Sequence, residues 1–322
     1  MHNRYMIDDA VDLLEAVHRY GGVNAAADVL GRSASGVSRR LQGLADELDV
    51  ALLRRVGRAV ELTSAGEALL AKLPELRRAQ ESVLAALAEA ADPEVGELRL
   101  AAHTFAVAEI LPQALDDWRA RRPRSRWRIR EAEPATGMDL LADRRADLVL
   151  MPVGPATPDA TDPRFLVEQL LAEPIDLVLP PQHRLTGAES ATLEQLREDP
   201  WILGSPGQGS REEILAACRR AGYQPVAAHH AQDWAALSGL VAAGEGVSLL
   251  PRLSPTHSGV VRVALSGVSA PTRSIVAVSP RGSEERSLHR DTVETLRAVA
   301  RTRVHQLGST AARSDDGRGC CG

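Results

Sequence analysis

The sequence predicts an α/β multidomain protein in which a small helical domain precedes a larger domain of alternating strands and helices. Its 322 residues exceed one ordinary hydrophobic core and suit two or three domains. Up to residue 92 the apolar residues recur mostly at helical spacing, whereas from Gly96 short apolar strands alternate with helices. This change of period predicts a domain boundary near residues 92–96.

Composition excludes membrane proteins and disulfide-rich mini-proteins. The chain is 44% hydrophobic and 25% charged, and no apolar run approaches the roughly 20 residues of a membrane-spanning helix. The first residues carry acids and no apolar signal segment, and the lone Cys218 and the Cys320–Cys321 pair match neither a disulfide framework nor a metal site. We therefore expect a cytoplasmic protein with no metal and no cofactor, ending in a disordered tail over residues 305–322.

The first domain, residues 6–62, is predicted to be a winged helix-turn-helix. Its expected helices are Asp8–Tyr20, Ala25–Leu30 and a third from Ser33 to about Leu48. Asn24 and Ser33 are the expected N-caps of the second and third helices, and Gly31 makes the turn between them. Residues 52–62 follow as a β-hairpin with Gly57 at its turn, which would form the wing.

A linker helix is predicted over residues 63–92. Ser64 to Glu67 fit a capping box, and the helix is expected to run to about Ala91. Six residues, five of them apolar, follow alternating steps of four and three, a spacing typical of a helix that packs along a partner helix: Leu69, Leu73, Leu76, Gln80, Val83 and Leu87. We expect dimerisation along this seam, with a bend at Pro74 that divides it into two shorter pieces.

Positive charge is local to the first domain, although the chain as a whole carries a net charge of −5. Small residues at the start of the third helix leave its N–H groups accessible, and arginine is suited to bidentate contact with guanine or phosphate. The expected DNA-binding residues on this helix are Ser33, Ala34, Ser35, Ser38, Arg39 and Arg40, and those on the wing are Arg54, Arg55 and Arg58. The alternative is that these arginines form only a solvated surface.

The second domain, residues 96–304, is predicted to contain two lobes around a mostly parallel sheet. Lobe I comprises about residues 96–172 and 272–304, and lobe II about residues 173–271, so the chain crosses between them twice. Such an arrangement leaves a cleft that suits a small ligand.

Short polar residues at predicted helix starts are the candidate ligand contacts. They are His103, Thr104, Ser205, Ser210, Gln232 and Asp233. Because hydroxyls and helix N-termini favour anionic groups, the expected ligand is small and polar and carries an anionic group. For Thr104 and Asp233 the alternative is a capping role, and for the Gly204–Ser210 loop a flexible connector.

The segment Gly21 to Leu70 resembles the N-terminal domain of LysR-type transcriptional regulators nearly position by position. The matching features include the alanine pair Ala26–Ala27, the cap Ser33, the Ser38–Arg39 core of the recognition helix and a Leu-Thr-x-Ala-Gly ending from Leu62. The resemblance extends over about residues 6–300, through EPIDLVLPPQHRL and LVAAGEGVSLLP in the second domain. It departs at Glu61, which puts an acid on the wing.

The resemblance implies a bacterial regulator that binds promoter DNA as a homodimer or homotetramer, contacts RNA polymerase and senses an effector in a C-terminal domain like periplasmic binding proteins. An enzyme is disfavoured because the chain contains no GxxxxGKS or GxxxxGKT loop, no HExxH and no GxSxG. The alternative is a small-molecule binding protein or enzyme with an appended helix-turn-helix. A purely structural interaction module would leave the arginines from Arg39 to Arg58 unexplained.

Overall fold

The computed structural model describes residues 9–56, 59–92, 94–205, 209–267 and 270–311. The chain divides into two compact units: residues up to 93 with segments 159–166 and 279–289 form one, and the remainder from residue 94 forms the other. None of the described helices is long and apolar enough to cross a membrane.

Three helices form the core of the first unit: α1 (Asp9–Tyr20), α2 (Val23–Leu30) and α3 (Ala34–Glu47). Their inward apolar residues are buried together as one cluster. Ser33 caps α3 as predicted, since its hydroxyl oxygen accepts a hydrogen bond from the Gly36 N–H at 3.1 Å. The predicted start of α2 is wrong, because the helix begins two residues earlier, at Val23, and its N-cap is Gly22 rather than Asn24.

The predicted hairpin is present as β1 (Leu53–Val56) and β2 (Ala59–Leu62), paired antiparallel. Its turn, with Gly57 and Arg58, lies outside the described residues. Helix α4 (Ser64–Ala91) follows, capped by Thr63 rather than by Ser64, because the Thr63 hydroxyl accepts from the Gly66 N–H at 3.1 Å. The helix is one continuous element with Pro74 inside it, so the predicted division into two pieces is wrong.

The predicted seam along α4 is split between two faces. Leu73 and Gln80 are buried, whereas Leu76, Val83 and Leu87 are exposed. The buried face packs within the first unit. There Glu81 pairs at 2.6 Å with Arg286, which belongs to the segment of residues 279–289, distant in sequence. Only the exposed residues are therefore available for a partner helix.

From Gly96 onward strands and helices alternate: β3 (Gly96–Ala102), α5 (Thr104–Glu109), α6 (Leu111–Arg121), β4 (Ser125–Glu131), α7 (Pro134–Ala142), β5 (Leu148–Pro152), β6 (Phe165–Leu179), β7 (Ser190–Ala191), β8 (Pro200–Leu203), α8 (Gly209–Arg220), β9 (Val226–His230), α9 (Trp234–Ala242), β10 (Ser248–Pro251), β11 (Val261–Leu265), β12 (Thr272–Pro280) and α10 (Ser287–Ala311). The last helix continues past Val304, so the predicted tail begins too early, and residues 312–322 lie outside the described part of the chain.

The main sheet is mixed, which corrects the expectation of a mostly parallel one. Its strand order is β4-β3-β5-β12-β6-β11-β7, and β10 also pairs with β6. β3 runs parallel to β4 and β5, whereas β12 is antiparallel to β5, and β10 and β11 are antiparallel to β6. The antiparallel pairs described for this sheet all involve β6 or β12, where the predicted boundaries between lobes I and II fall.

Candidate DNA interface and effector site

Helix α3 presents its charged residues outward because its apolar residues face the core. Val37, Leu41 and Leu44 are buried, and Ser38, Arg39 and Arg40 are exposed. Of the residues expected at the helix start, Ser35 is exposed, Ala34 is half-buried and the Ser33 oxygen serves as the cap. The exposed face therefore leaves the side chains of Arg39 and Arg40 accessible at the surface.

A nearby arginine differs from these because its charge is already paired. The Arg32 guanidinium lies over Asp9, with Nη1 2.6 Å from one carboxylate oxygen and Nη2 2.9 Å from the other. This bidentate contact raises the pKa of Arg32. Arg32 is thus a surface arginine of the same domain whose charge is largely balanced locally.

The two described wing arginines lie on opposite faces of β1, because successive side chains alternate across a strand. Arg54 faces Glu61 across the hairpin, and Arg54 Nη2 lies 3.1 Å from Glu61 Oε2. Arg55 is opposite Val60 and is exposed. The register of β1 and β2 sets Arg54 opposite Glu61, and because the two strands are close in sequence a predicted hairpin could have indicated this partner.

In the second unit, the predicted pair His103–Thr104 lies where β3 ends and α5 begins. The Thr104 hydroxyl donates to Glu131 Oε1 at 2.6 Å, and His103 Nε2 lies 3.6 Å from Glu133 Oε2. Neither carboxylate was predicted from the sequence to lie at this site. The parallel pairing of β3 with β4 sets Ala102 beside Glu131, so the two strand ends bring these groups together.

Two aromatic rings, one from each predicted lobe, lie close to His103. Its ring centroid lies 5.3 Å from that of Phe105 and 6.2 Å from that of Trp234, the first residue of α9. Burial lowers the pKa of His103, opposed by Glu133, and the nearby Arg273 charge lowers it further. His103 is therefore predominantly neutral at neutral pH.

Arg273, at the start of β12, was not singled out from the sequence. Its guanidinium lies 4.5 Å from the Phe105 ring centroid and 5.3 Å from that of Trp234, and the residue is 7% exposed. Its Nε donates to Glu173 Oε1 at 2.5 Å, and Glu173 is fully buried on β6. This ion pair therefore joins β6 and β12, the strands predicted to cross between the lobes, next to the rings of Phe105 and Trp234.

The remaining predicted effector residues have mixed outcomes. Asp233 is the N-cap of α9, accepting from the Ala235 and Ala236 N–H groups at 2.8 and 3.0 Å, which is the alternative that the sequence left open. Ser205 is half-buried just after β8, and Gln232 is exposed. The side chain of Ser210 lies outside the described residues.

No cluster suited to a metal ion occurs among the residues that the structure describes. The adjacent histidines of β9 have separate partners, since His229 contacts Glu245 at 3.0 Å and His230 contacts Arg211 at 3.2 Å. Cys218 is fully buried, and burial raises the pKa of its thiol.

Comparison with known proteins identifies both parts of the chain. Residues 9–67 match the family described as bacterial regulatory helix-turn-helix protein, lysR family, and residues 91–301 match the LysR substrate binding domain. A probable hydrogen peroxide-inducible genes activator of Streptomyces viridosporus is 33% identical over 288 residues, covering 86% of this chain and 88% of that protein.

A second relative is the transcriptional dual regulator GltC of Bacillus subtilis, 29% identical over 217 residues, or 67% of this chain and 71% of GltC. The solved structure of an OxyR mutant from Corynebacterium glutamicum shares the fold, with a TM-score of 0.58 at 23% identity over 96% of each chain. The chain therefore belongs to the LysR family and is a DNA-binding transcriptional regulator with an effector-binding domain, not an enzyme.

Proposed function

We propose that α3 enters the major groove of promoter DNA and that Arg39 makes its principal base contact. The observation that carries this proposal is the division of α3 into a buried apolar face and an exposed face bearing Ser38, Arg39 and Arg40. An arginine on an exposed face can reach the O6 and N7 acceptors of guanine with two hydrogen bonds. Ser35 and the first turn of α3 approach the phosphates, and Arg55 and Arg58 of the wing add backbone contacts.

Two copies would bind together, joined by the exposed residues of α4. Leu76, Val83 and Leu87 are 48%, 42% and 59% exposed, which is unfavourable for apolar side chains unless a partner covers them. A dimer places two recognition helices on one side of the duplex, so we expect imperfect inverted repeats with half-sites about 10 bp apart. A homotetramer, paired again through the second domains, is the proposed full assembly, acting in the cytoplasm.

The second domain would bind the effector beside His103, Thr104 and Ser205, between lobes I and II. Ligand binding would change the angle between the lobes, and with it the spacing of the two recognition helices and the contact with RNA polymerase. Such coupling requires that the effector bind the two conformations with different affinity.

A gel-shift assay on the DNA adjacent to the protein's own gene tests this function. We expect Arg39→Ala to abolish the specific complex and to leave sedimentation unchanged. Arg32→Ala is the matched control, because it removes an exposed arginine of the same domain whose charge Asp9 already balances. Equal loss of binding in both variants, or normal binding by Arg39→Ala, would contradict the assignment of the recognition helix.

A thermal-shift screen of metabolites, repeated on Thr104→Ala and Ser205→Ala, tests the effector site. We expect at least one of these variants to lose the stabilisation that a ligand gives to the wild-type protein. A ligand whose stabilisation survives in both variants binds elsewhere.

A further inference from the structure

Arg273 has more hydrogen-bond donors than its surroundings use. A guanidinium carries five N–H hydrogens. Within the described residues its hydrogen bond is the one from Nε to Glu173, and the buried Nη2 makes only an ionic contact with the same carboxylate. The residue is 93% buried between Phe105 of lobe I and Trp234 of lobe II. Donors left unpaired at such burial cost free energy, and a carboxylate that approached the two terminal amino groups would satisfy them.

The surrounding charges make a simple anion unsuitable. The carboxylates of Glu131 and Glu133 act electrostatically on His103, and those of Glu173 and Glu213 act on Arg273. Glu173 already balances Arg273. A ligand with only negative charge would therefore add repulsion from Glu131 and Glu133, which lie at the His103–Thr104 end of the site.

We propose that the effector is a small zwitterion of the amino-acid class, whose carboxylate binds the terminal amino groups of Arg273 and whose ammonium group binds Glu131 and Glu133. This inference rests on the proposed effector site, and it adds a positive group to the expected polar ligand with an anionic group. His103 lies close to both poles, because its Nε2 is 3.6 Å from Glu133 Oε2 and its ring contacts the Phe105 ring that Arg273 also contacts. The Thr104 hydroxyl holds the Glu131 carboxylate in place at 2.6 Å, so Thr104 positions an acceptor for the ammonium group.

The test measures thermal stabilisation of the full-length protein by each proteinogenic amino acid, and by the N-acetyl and carboxamide derivatives of every amino acid that stabilises it. We expect each derivative to bind at least about tenfold more weakly, because each loses one charge-assisted interaction. Derivatives that bind as tightly as the parent amino acid, or stabilisation by no amino acid at all, would overturn the proposal.

Variants assign the two poles. Glu133→Gln should weaken the amino acid and improve binding of the corresponding simple carboxylate, whereas the exposed Glu189→Gln should change neither. Arg273→Gln is combined with Glu173→Gln so that no buried charge is left unpaired. This double variant should bind the acid and its carboxamide equally. Retained preference for the acid would overturn the role of Arg273.

The gel shift of the wild-type protein separates this inference from the proposed function. Specific DNA binding without stabilisation by any amino acid overturns the ligand class alone. Stabilisation by an amino acid in a protein that binds no DNA would overturn the proposed regulator and support the ligand class.

Discussion

The contribution of the wing to DNA binding can be tested on its two described arginines, because Arg54 forms an ion pair with Glu61 and Arg55 faces an apolar residue. Arg54 Nη2 lies 3.1 Å from Glu61 Oε2, whereas Arg55 faces Val60 across the hairpin. Each phosphate contact contributes about 0.9 to the slope of log affinity against log salt, or about a three- to fourfold change in affinity for a fourfold change in salt. We therefore expect Arg55→Ala to reduce the slope by about 0.9.

The paired arginine gives the matched comparison. Arg54→Ala combined with Glu61→Gln removes a balanced pair, so the net charge of the wing and the salt slope should stay unchanged. Glu61→Gln alone should steepen the slope by up to about 0.9, because it frees Arg54 for a phosphate. The pair is half-exposed and contributes only about 0.2–1 kcal/mol to stability, so these variants should remain folded.

Fluorescence anisotropy with labelled promoter DNA, over a series of salt concentrations, measures these slopes. A melting curve of each variant checks that it is folded. If the double variant lowers the slope as much as Arg55→Ala does, Arg54 contacts phosphate despite Glu61, and the reasoning from the ion pair is wrong.

Three further predictions concern stability and assembly. Gly66→Ala should lower the free energy of unfolding, measured in urea, by about 1–3 kcal/mol, because its Cβ would lie 2.3 Å from the Leu52 carbonyl oxygen. A Cβ at Gly43 on α3 meets nothing within 4 Å, so Gly43→Ala should raise that free energy by up to about 1 kcal/mol; a loss of stability in both variants would contradict this. Leu76→Glu should dissociate the dimer in sedimentation velocity while the exposed Ala88→Glu does not, and a wild-type monomer would refute the interface. Because burial lowers the pKa of His103 from 6.5, the unfolded chain binds a proton on His103 more readily than the folded chain, so stability should fall as pH drops below about 6.5. His103→Gln should lessen that fall, and an identical pH profile in the variant would show that His103 does not contribute.

Features that depend on a few neighbouring residues could be predicted from the sequence. The Ser33 cap, the hairpin and the near-correct bounds of α3 follow from local spacing. The exact N-cap residue was harder to predict. Asn24 and Ser64 are suitable cap residues by type, but the observed N-caps are the nearby Gly22 and Thr63. A difference of one residue changes the cap without changing the pattern of apolar residues that predicts the helix.

The two faces of α4 show a second limit. Leu73 and Leu76 carry the same hydrophobic signal, yet only Leu76 is exposed. Leu73 packs in the cluster formed by α1, α2 and α3, and Glu81 pairs with Arg286, so distant parts of the chain define the buried face. The sequence thus predicted a long apolar helix but not which of its residues remain for a partner.

The exposure of the residues in the candidate DNA interface could be predicted almost wholly from the sequence, because helical spacing alone indicates which face of an amphipathic helix is exposed. The effector site did not. Glu131 reaches Thr104 only through the pairing of β3 with β4, and Glu173 meets Arg273 across 100 residues. The family resemblance and local spacing determined that this chain is a helix-turn-helix regulator with a two-lobed sensor. Only the tertiary structure decided which charges meet between the lobes, since charge balance in a buried site depends on residues that chain order does not bring together.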